Sequence, residues 1–208
     1  MKSVLGNKLT FVVLGRSGAG KGTQARMIVE RLRPWGVLHC ETGRFLRELL
    51  EKENPTIRIA RSVMMAGKLS PAWLAAYTWL RELIQGGHAD KYLVFDGAPR
   101  RLWEARLIDE VMSWHGRPLP LCVLVDVSRR EATRRLLMRG RVDDTPTRVR
   151  RRMEYYPRDV VPVIGYFRRH GRLVRVNGEQ EVEAVSRDLD EALSRRLGKR
   201  WPRKYAER

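Results

Sequence analysis

The sequence predicts an α/β protein, a three-layer α/β/α sandwich built on a five-stranded parallel sheet. Three observations lead there. Segments of strand character at 9–14, 37–40, 92–96, 121–126 and 172–176 alternate with helical patterns at 21–33, 43–52, 56–66, 71–86, 102–114, 128–139, 146–170 and 180–197. Such alternation argues for a parallel sheet with helices on both faces. The runs Tyr92-Leu93-Val94-Phe95 and Leu121-Cys122-Val123-Leu124-Val125 are apolar almost throughout, as strands covered on both faces must be. The first strand also passes through a glycine-rich turn directly into the first helix. With 208 residues, 43% of them apolar, the chain suffices for one domain with a sizeable core.

Taken in order, Leu9-Thr10-Phe11-Val12-Val13-Leu14 reads as a buried strand, and the stretch from Gln24 to Leu32 as the body of a helix. Between them lies Gly15-Arg16-Ser17-Gly18-Ala19-Gly20-Lys21-Gly22-Thr23, the arrangement of a phosphate-cradling P-loop. The glycines let backbone N–H groups turn inward on an anion. The helix N-terminus adds partial positive charge, and Lys21 a full one. Gly22 stands where the general pattern has Ser or Thr, so Thr23 is the first hydroxyl able to reach a metal ion.

Residues 42–87 carry three helical patterns without a strand and are expected to form a helical insertion on one edge. The third strand ends at Asp96, where an acid is the expected partner of a P-loop, holding Mg2+ directly or through water. Arg100, just past Pro99, is placed to act as a phosphate fork. Residues 139–147 are short, polar and rich in Arg and Asp, between two helices. That stretch and the insertion are candidates for closing segments.

Composition removes several classes. Cys40 and Cys122 are the only cysteines, which excludes a disulfide scaffold and a four-cysteine structural zinc site. No apolar run approaches the ~18 residues of a membrane span, and the N-terminus lacks the apolar stretch of a secretory signal. A reducing, cytoplasmic setting is the expectation. The net charge of +18 favours polyanionic ligands.

Five motifs occur in one order across roughly residues 8–195. They are Gly18-Ala19-Gly20-Lys21-Gly22-Thr23-Gln24-Ala25, Thr42-Gly43 with Arg47, Gly67-Lys68-Leu69, Asp96-Gly97 followed by Pro99-Arg100, and Gly140-Arg141-Val142-Asp143-Asp144. Together they resemble the adenylate kinase family. The resemblance implies a P-loop core (1–41, 88–138, 148–197), a helical insertion at 42–87 that binds the nucleoside monophosphate (NMP), a short lid at 139–147 and a basic tail at 198–208. It implies the reaction of Mg-ATP with AMP to give two ADP. On the ATP side it implies Gly18, Ala19, Gly20, Lys21, Gly22, Thr23, Arg135, Arg139 and the backbone carbonyl of Gln180. On the acceptor side it implies Thr42, Gly43, Arg47, Ser70, Gly97, Arg100 and Glu104. Arg141 and Arg152 would close over the phosphates. The catalytic set would be Lys21, Arg100, Arg139, Arg141 and Arg152, with Thr23 and Asp96 for Mg2+. The expected partners are ATP and AMP, with the chain acting as a monomer and not on a membrane.

Elementary chemistry agrees with that assignment. Residues 129–152 hold ten Arg against three acids. A solvated helix face accounts for Arg129, Arg130, Arg148, Arg150 and Arg151, but bringing two polyphosphates together needs several cations. Arginine supplies planar forks for charge spread over phosphoryl oxygens. Asp143 and Asp144 are expected to organise the lid by pairing with arginines. No general base is required, because the acceptor is already an ionised phosphate.

Three departures from the family pattern stand out. Arg44 occupies an acidic position of the family, and either strengthens phosphate binding or points to solvent. Glu104 stands in place of the family's adenine-reading Gln. A carboxylate only accepts. Turning one oxygen away, it would accept the N6–H of adenine while water or backbone reads the rest, which is the preferred reading. Two acceptors suit the N1–H and N2–H of guanine, so an acceptor other than AMP (GMP, CMP or UMP) is the alternative. Arg139-Gly140-Arg141 runs almost directly into Val142-Asp143-Asp144, which predicts a minimal lid and slow ATP hydrolysis without acceptor. The tail, with Trp201 and Tyr205 among cations, suits stacking on single-stranded nucleic acid. A solvated tail with Trp201 packed on the body is the preferred reading, and an RNA-associated NTPase the alternative.

Overall fold

Alternating side chains of five short strands divide the core into two layers. The strands are β1 (Thr10–Leu14), β2 (Val37–Glu41), β3 (Tyr92–Asp96), β4 (Leu121–Asp126) and β5 (Leu173–Asn177). They run parallel in the order β2-β3-β1-β4-β5. The computed structural model describes residues 8–87, 90–141 and 144–202. The expected roles of Asp143 and of the end of the tail at 203–208 lie outside them.

Nine helices connect and flank the strands among the described residues: α1 (Lys21–Leu32), α2 (Thr42–Leu49), α3 (Pro55–Met65), α4 (Ala72–Gln85), α5 (Leu102–Trp114), α6 (Arg129–Arg139), α7 (Pro146–Tyr155), α8 (Val161–Arg169) and α9 (Val182–Leu197). Neighbouring residues of a strand face opposite sides. Phe11, Val13, Val94, Val123 and Val125 therefore pack with Ile28, Leu32, Leu136, Met153, Leu189 and Leu193 of α1, α6, α7 and α9. Val12, Leu14, Leu93, Phe95, Cys122 and Leu124 pack with Trp79, Leu83, Ile108, Met112 and Phe167 of α4, α5 and α8. Burying each such side chain is worth about 1.5–3 kcal/mol before conformational entropy is subtracted. The expected three-layer architecture is what forms.

β2 and β3 are joined by α2, α3 and α4, which share a small core of Leu46, Ala60 and Leu74. The entry into α3 shows why: Asn54 caps it by accepting from the Ile57 N–H at 2.9 Å, and Pro55 occupies the first helical position, where a missing N–H costs nothing. One expectation needs correction. The helix read over 146–170 is α7 and α8 separated by a wider π turn at Tyr156–Val160. Pro157 and Pro162 lie in and just beyond this turn, and neither has an N–H to donate to the ladder.

Candidate active site

All five strands end at the same pole, and the loops leaving β1 and β3 meet there. The loop after β1 turns from Gly15 to Gly20 before α1 begins at Lys21. Two glycines here sit in close approach to other elements. Gly18 has φ +88°, and a Cβ on it would lie 2.5 Å from the Ala132 carbonyl oxygen of α6. A Cβ on Gly22 would lie 3.1 Å from Asp96 Oδ2. Gly22, a departure from the general loop pattern, thus lets the first turn of α1 sit against the carboxylate that ends β3.

The loop is braced by residues that motif reading did not single out. Ser17 Oγ shares a hydrogen bond with the Tyr155 hydroxyl at 3.1 Å. Arg16 donates to the Val127 carbonyl at 3.1 Å and lies 4.1 Å from the Tyr156 ring centre. The Tyr residues come from the far end of α7, so no local signal marks them. Lys21 donates through Nζ to the Arg16 carbonyl at 2.7 Å, holding its charge over the loop.

Around that ammonium the structure gathers cations. Burial is the main cause that lowers the Lys21 pKa to about 8; the positive charges of Arg100, Arg139 and Arg152 add to it, and only Asp96 opposes them. Four cations gathered around Asp96, two of them also paired with Asp144, leave a surplus of positive charge that an anion would stabilise. Two of the four are held by an acid between α6 and α7. Asp144, its side chain 1% exposed, accepts from Arg139 Nε and Nη2 and from Arg152 Nη1, each at 2.8 Å. Burial works against its ionisation, but the hydrogen bonds and charges of the two arginines outweigh that and hold its carboxyl below the usual range.

A second recess adjoins the first. It is lined by Thr42 and Leu46 of α2, Leu69, Ser70, Ala75 of α4, Gly97, Arg100, Arg101 and Glu104. Thr42 Oγ1 and Glu104 Oε1 are buried there without a hydrogen-bond partner. Orphaned buried polar atoms are costly, and two of them lining one recess mark it as a place that receives a polar ligand. The recess over the P-loop is lined by Val13, Leu14, Gly15, Ser17, Lys21, Gly97, Arg100, Tyr155 and Val160. Gly97 and Arg100 belong to both recesses, and Arg100 is held by its Nε donating to the Gly97 carbonyl at 2.8 Å.

Glu104 turns one oxygen away from the recess and leaves the other facing it, as the reading with a single acceptor for the base requires. It sits in the first turn of α5, 2% exposed. Its Oε2 accepts the backbone N–H of Arg100 at 2.7 Å and of Arg101 at 3.1 Å. One oxygen is therefore committed to the helix start and one remains open, so the two donors of guanine could not be spread over two carboxylate oxygens. Burial raises its pKa, opposed by the two backbone hydrogen bonds and the charges of Arg100 and Arg101.

Other expected residues are placed less directly. Arg135 donates to Glu131 at 2.7 Å, which Arg134 also engages. Gln180 Nε2 donates to Asp188 at 2.7 Å and to the Asn177 carbonyl at 3.2 Å. Arg47, its side chain 61% exposed, lies 3.9 Å from Glu41. Gly43, the second residue of α2, lies against it: a Cβ there would be 3.5 Å from Arg47 Nη1. Arg44 lies 3.6 Å from Glu48. Arg141 is exposed just past Gly140. Arg151, exposed as a solvated helix face would have it, also donates to the Ala66 carbonyl at the end of α3. Gly67 lies against Arg148, its missing Cβ 3.1 Å from the Arg148 Cα. The helix after the lid thus touches the helical insertion.

No cluster of three or more His, Cys, Asp or Glu able to hold a metal ion occurs among the described residues. Asp96 and the Thr23 hydroxyl supply hard oxygen donors, and such a sparse set fits Mg2+, which retains water and substrate oxygens. No helix among the described residues is long and apolar enough to cross a membrane.

Comparison with known proteins agrees with this geometry. The family model for adenylate kinase matches residues 13–172. Adenylate kinase 1 of Nostoc sp. is 34% identical over 183 residues, covering 88% of this chain and 97% of the relative. Adenylate kinase of Thermus thermophilus is 38% identical over 171 residues, covering 80% and 87% respectively. Adenylate kinase of Xanthomonas campestris is 32% identical over 191 residues, covering 90% of this chain and the whole of the relative.

Proposed function

This chain belongs to the adenylate kinase family and is a phosphotransferase, and on that premise we propose that it transfers the γ-phosphoryl of ATP to AMP with Mg2+, giving two ADP. The observation that carries the reading is that one arginine, Arg100, lines both the P-loop recess and the recess under α2. Two nucleotides seated in those recesses would meet at their phosphates, beside Lys21.

The division of labour follows from charge. The acceptor phosphate is its own nucleophile, so the protein must position two anions and stabilise charge spread over the transferred oxygens. The ATP phosphates rest on the loop amides, Lys21 and the α1 N-terminus. Arg100 holds the acceptor phosphate, and Arg139 and Arg152, aimed by Asp144, close from the lid side with Arg141. Mg2+ between the phosphates, near Thr23 and Asp96, would neutralise charge and fix their geometry. The insertion at 42–87 and the stretch 139–147 act as the acceptor-side and lid segments, and the cytoplasm is the setting.

Glu104 favours AMP over GMP. With Oε2 turned to the helix start, Oε1 can accept the adenine 6-amino group, whereas guanine would have to crowd both of its donors onto that single oxygen; a poorly matched donor costs about 1–3 kcal/mol, roughly ten- to a hundredfold. A coupled assay of ADP formation from ATP with AMP, GMP, CMP or UMP tests the reading. AMP-dependent production of two ADP per ATP, with GMP at least tenfold poorer in kcat/KM, supports it. ATP consumption indifferent to every monophosphate overturns it.

A further inference from the structure

The pole opposite the candidate active site carries a feature the phosphotransfer reaction does not use. Helices α8 and α9 run against the strands, so both end where the strands begin. The last turn of α8 gives Arg168 and Arg169; the end of α9 and the 3₁₀ turn after it give Arg195, Arg196, Lys199 and Arg200, and all six are exposed. Arg196 donates to the Gly171 carbonyl in the turn that follows α8, which places the two helix ends side by side. Burial raises the Tyr92 pKa at the start of β3, and Arg200 is near enough to oppose that rise.

Counter-charge is missing from this surface. No Asp or Glu occurs between residues 160 and 178 or between 192 and 202. The neighbouring acids are occupied: Asp109 holds Arg172 and the Tyr166 hydroxyl, and Asp190 holds Arg31 and the Trp201 indole. Glu191, exposed one turn before Arg195, is the exception. None of the six cations forms an ion pair among the described residues. A helix C-terminus favours a cation or two near its last carbonyls, but six on adjoining ends repel one another.

We infer that this surface binds nucleic acid through its phosphodiester backbone, at a site separate from the phosphotransfer centre. Five of the six cations are arginines, whose planar forks match phosphate oxygens. Their spread over two helix ends suits a ligand with many phosphates rather than one. A membrane is disfavoured because no large apolar side chain is exposed in 168–172 or 195–200 to enter a bilayer. Trp201 adds no stacking platform: it is 5% exposed, edge-on to Phe11 with ring centres 5.6 Å apart. Recognition is thus by charge and carries no base preference.

The test is fluorescence anisotropy of a labelled 20-nucleotide oligouridylate. With four to six phosphates neutralised, affinity should fall on the order of a hundredfold between 50 and 200 mM salt. Neutralising Arg168, Arg169, Arg195 and Lys199 to Gln should weaken binding at least tenfold at 50 mM salt. Neutralising Lys52, Arg106, Arg130 and Arg187 to Gln, the same charge change elsewhere, should weaken it less than threefold. Both variants should keep kcat/KM for ATP and AMP within about twofold, and Arg168→Gln with Arg169→Gln alone serves should the fourfold variant fail to fold. Equal loss in both variants overturns the inference in favour of diffuse net charge. Loss on deleting 203–208 while the patch variant binds normally also overturns it, as does binding to phosphatidylserine vesicles without binding to RNA.

Discussion

In the proposed reaction Lys21 faces the transferred phosphoryl group, and its surroundings give it a testable signature. Burial first, then Arg100, lower its pKa to about 8, so in the free protein it is a cation below that pH and loses its charge above it. The kcat/KM for ATP should fall by up to about tenfold per pH unit above about 8. Bound phosphates favour the charged form, so kcat should hold to higher pH; parallel decline of the two would contradict this. Lys21→Met should lower kcat about 10²–10³-fold, the range for removing one preorganised electrostatic group, with the fold intact by circular dichroism. Glu104 offers a second residue-scale test. In Glu104→Gln the amide oxygen can take over the Arg100 and Arg101 N–H groups, leaving N–H donors toward the base. Adenine N1 accepts and guanine N1–H does not, so the AMP-to-GMP ratio of kcat/KM should rise about tenfold or more in the same four-acceptor assay.

At the scale of elements, the clasp between α6 and α7 is what aims the lid arginines. The Asp144 carboxyl is held below its ordinary 3.8. A depressed folded-state pKa gives stability that is complete above the unfolded value and lost as pH falls through the folded one, so the clasp is intact from about pH 4 upward. Asp144→Ala leaves two arginines without their shared acceptor and should cost about 1–3 kcal/mol, read as a lower urea midpoint and a reduced kcat together. Arg151, just after the segment 139–147, links α7 to the end of α3, in the insertion expected to close on substrate. Arg151→Ala should raise KM for AMP several-fold with little change in the urea midpoint; unchanged KM would mean the contact plays no part in closure.

The limits of sequence reading show at this scale too. Strand–loop–helix order and the acid ending β3 were legible because each is a local pattern with one physical solution. The two roles of Glu104 were not, because a helix-start acid paired with an Arg at the cap position lacks the Ser or Thr that signals such a cap. The Arg151–Ala66 contact joins residues 85 apart, and a helical period cannot tell a solvated arginine from one that reaches a distant carbonyl. The break between α7 and α8 was hidden by apolar spacing that continues through Pro157 and Pro162. Asp144 was legible as a partner of arginines, but which arginines it takes depends on how α6 and α7 cross.

For the whole molecule, the arrangement is two poles with different charge logic. At the strand C-terminal pole, cations converge on one carboxylate around a recess that Arg100 shares with a second recess. At the other, cations spread over two helix ends without counter-charge. On the proposed function the first pole holds two nucleotides that meet at their phosphates, and ATP at a hundred times its Kd should stabilise the fold by about 2.7 kcal/mol. The most direct test is phosphorus NMR of the wild-type chain mixed with Mg-ATP and AMP. ADP should appear from both nucleotides in equal amounts, ATP should be consumed only slowly when AMP is left out, and neither change should occur with Lys21→Met. Release of inorganic phosphate at the same rate with or without AMP would contradict the account.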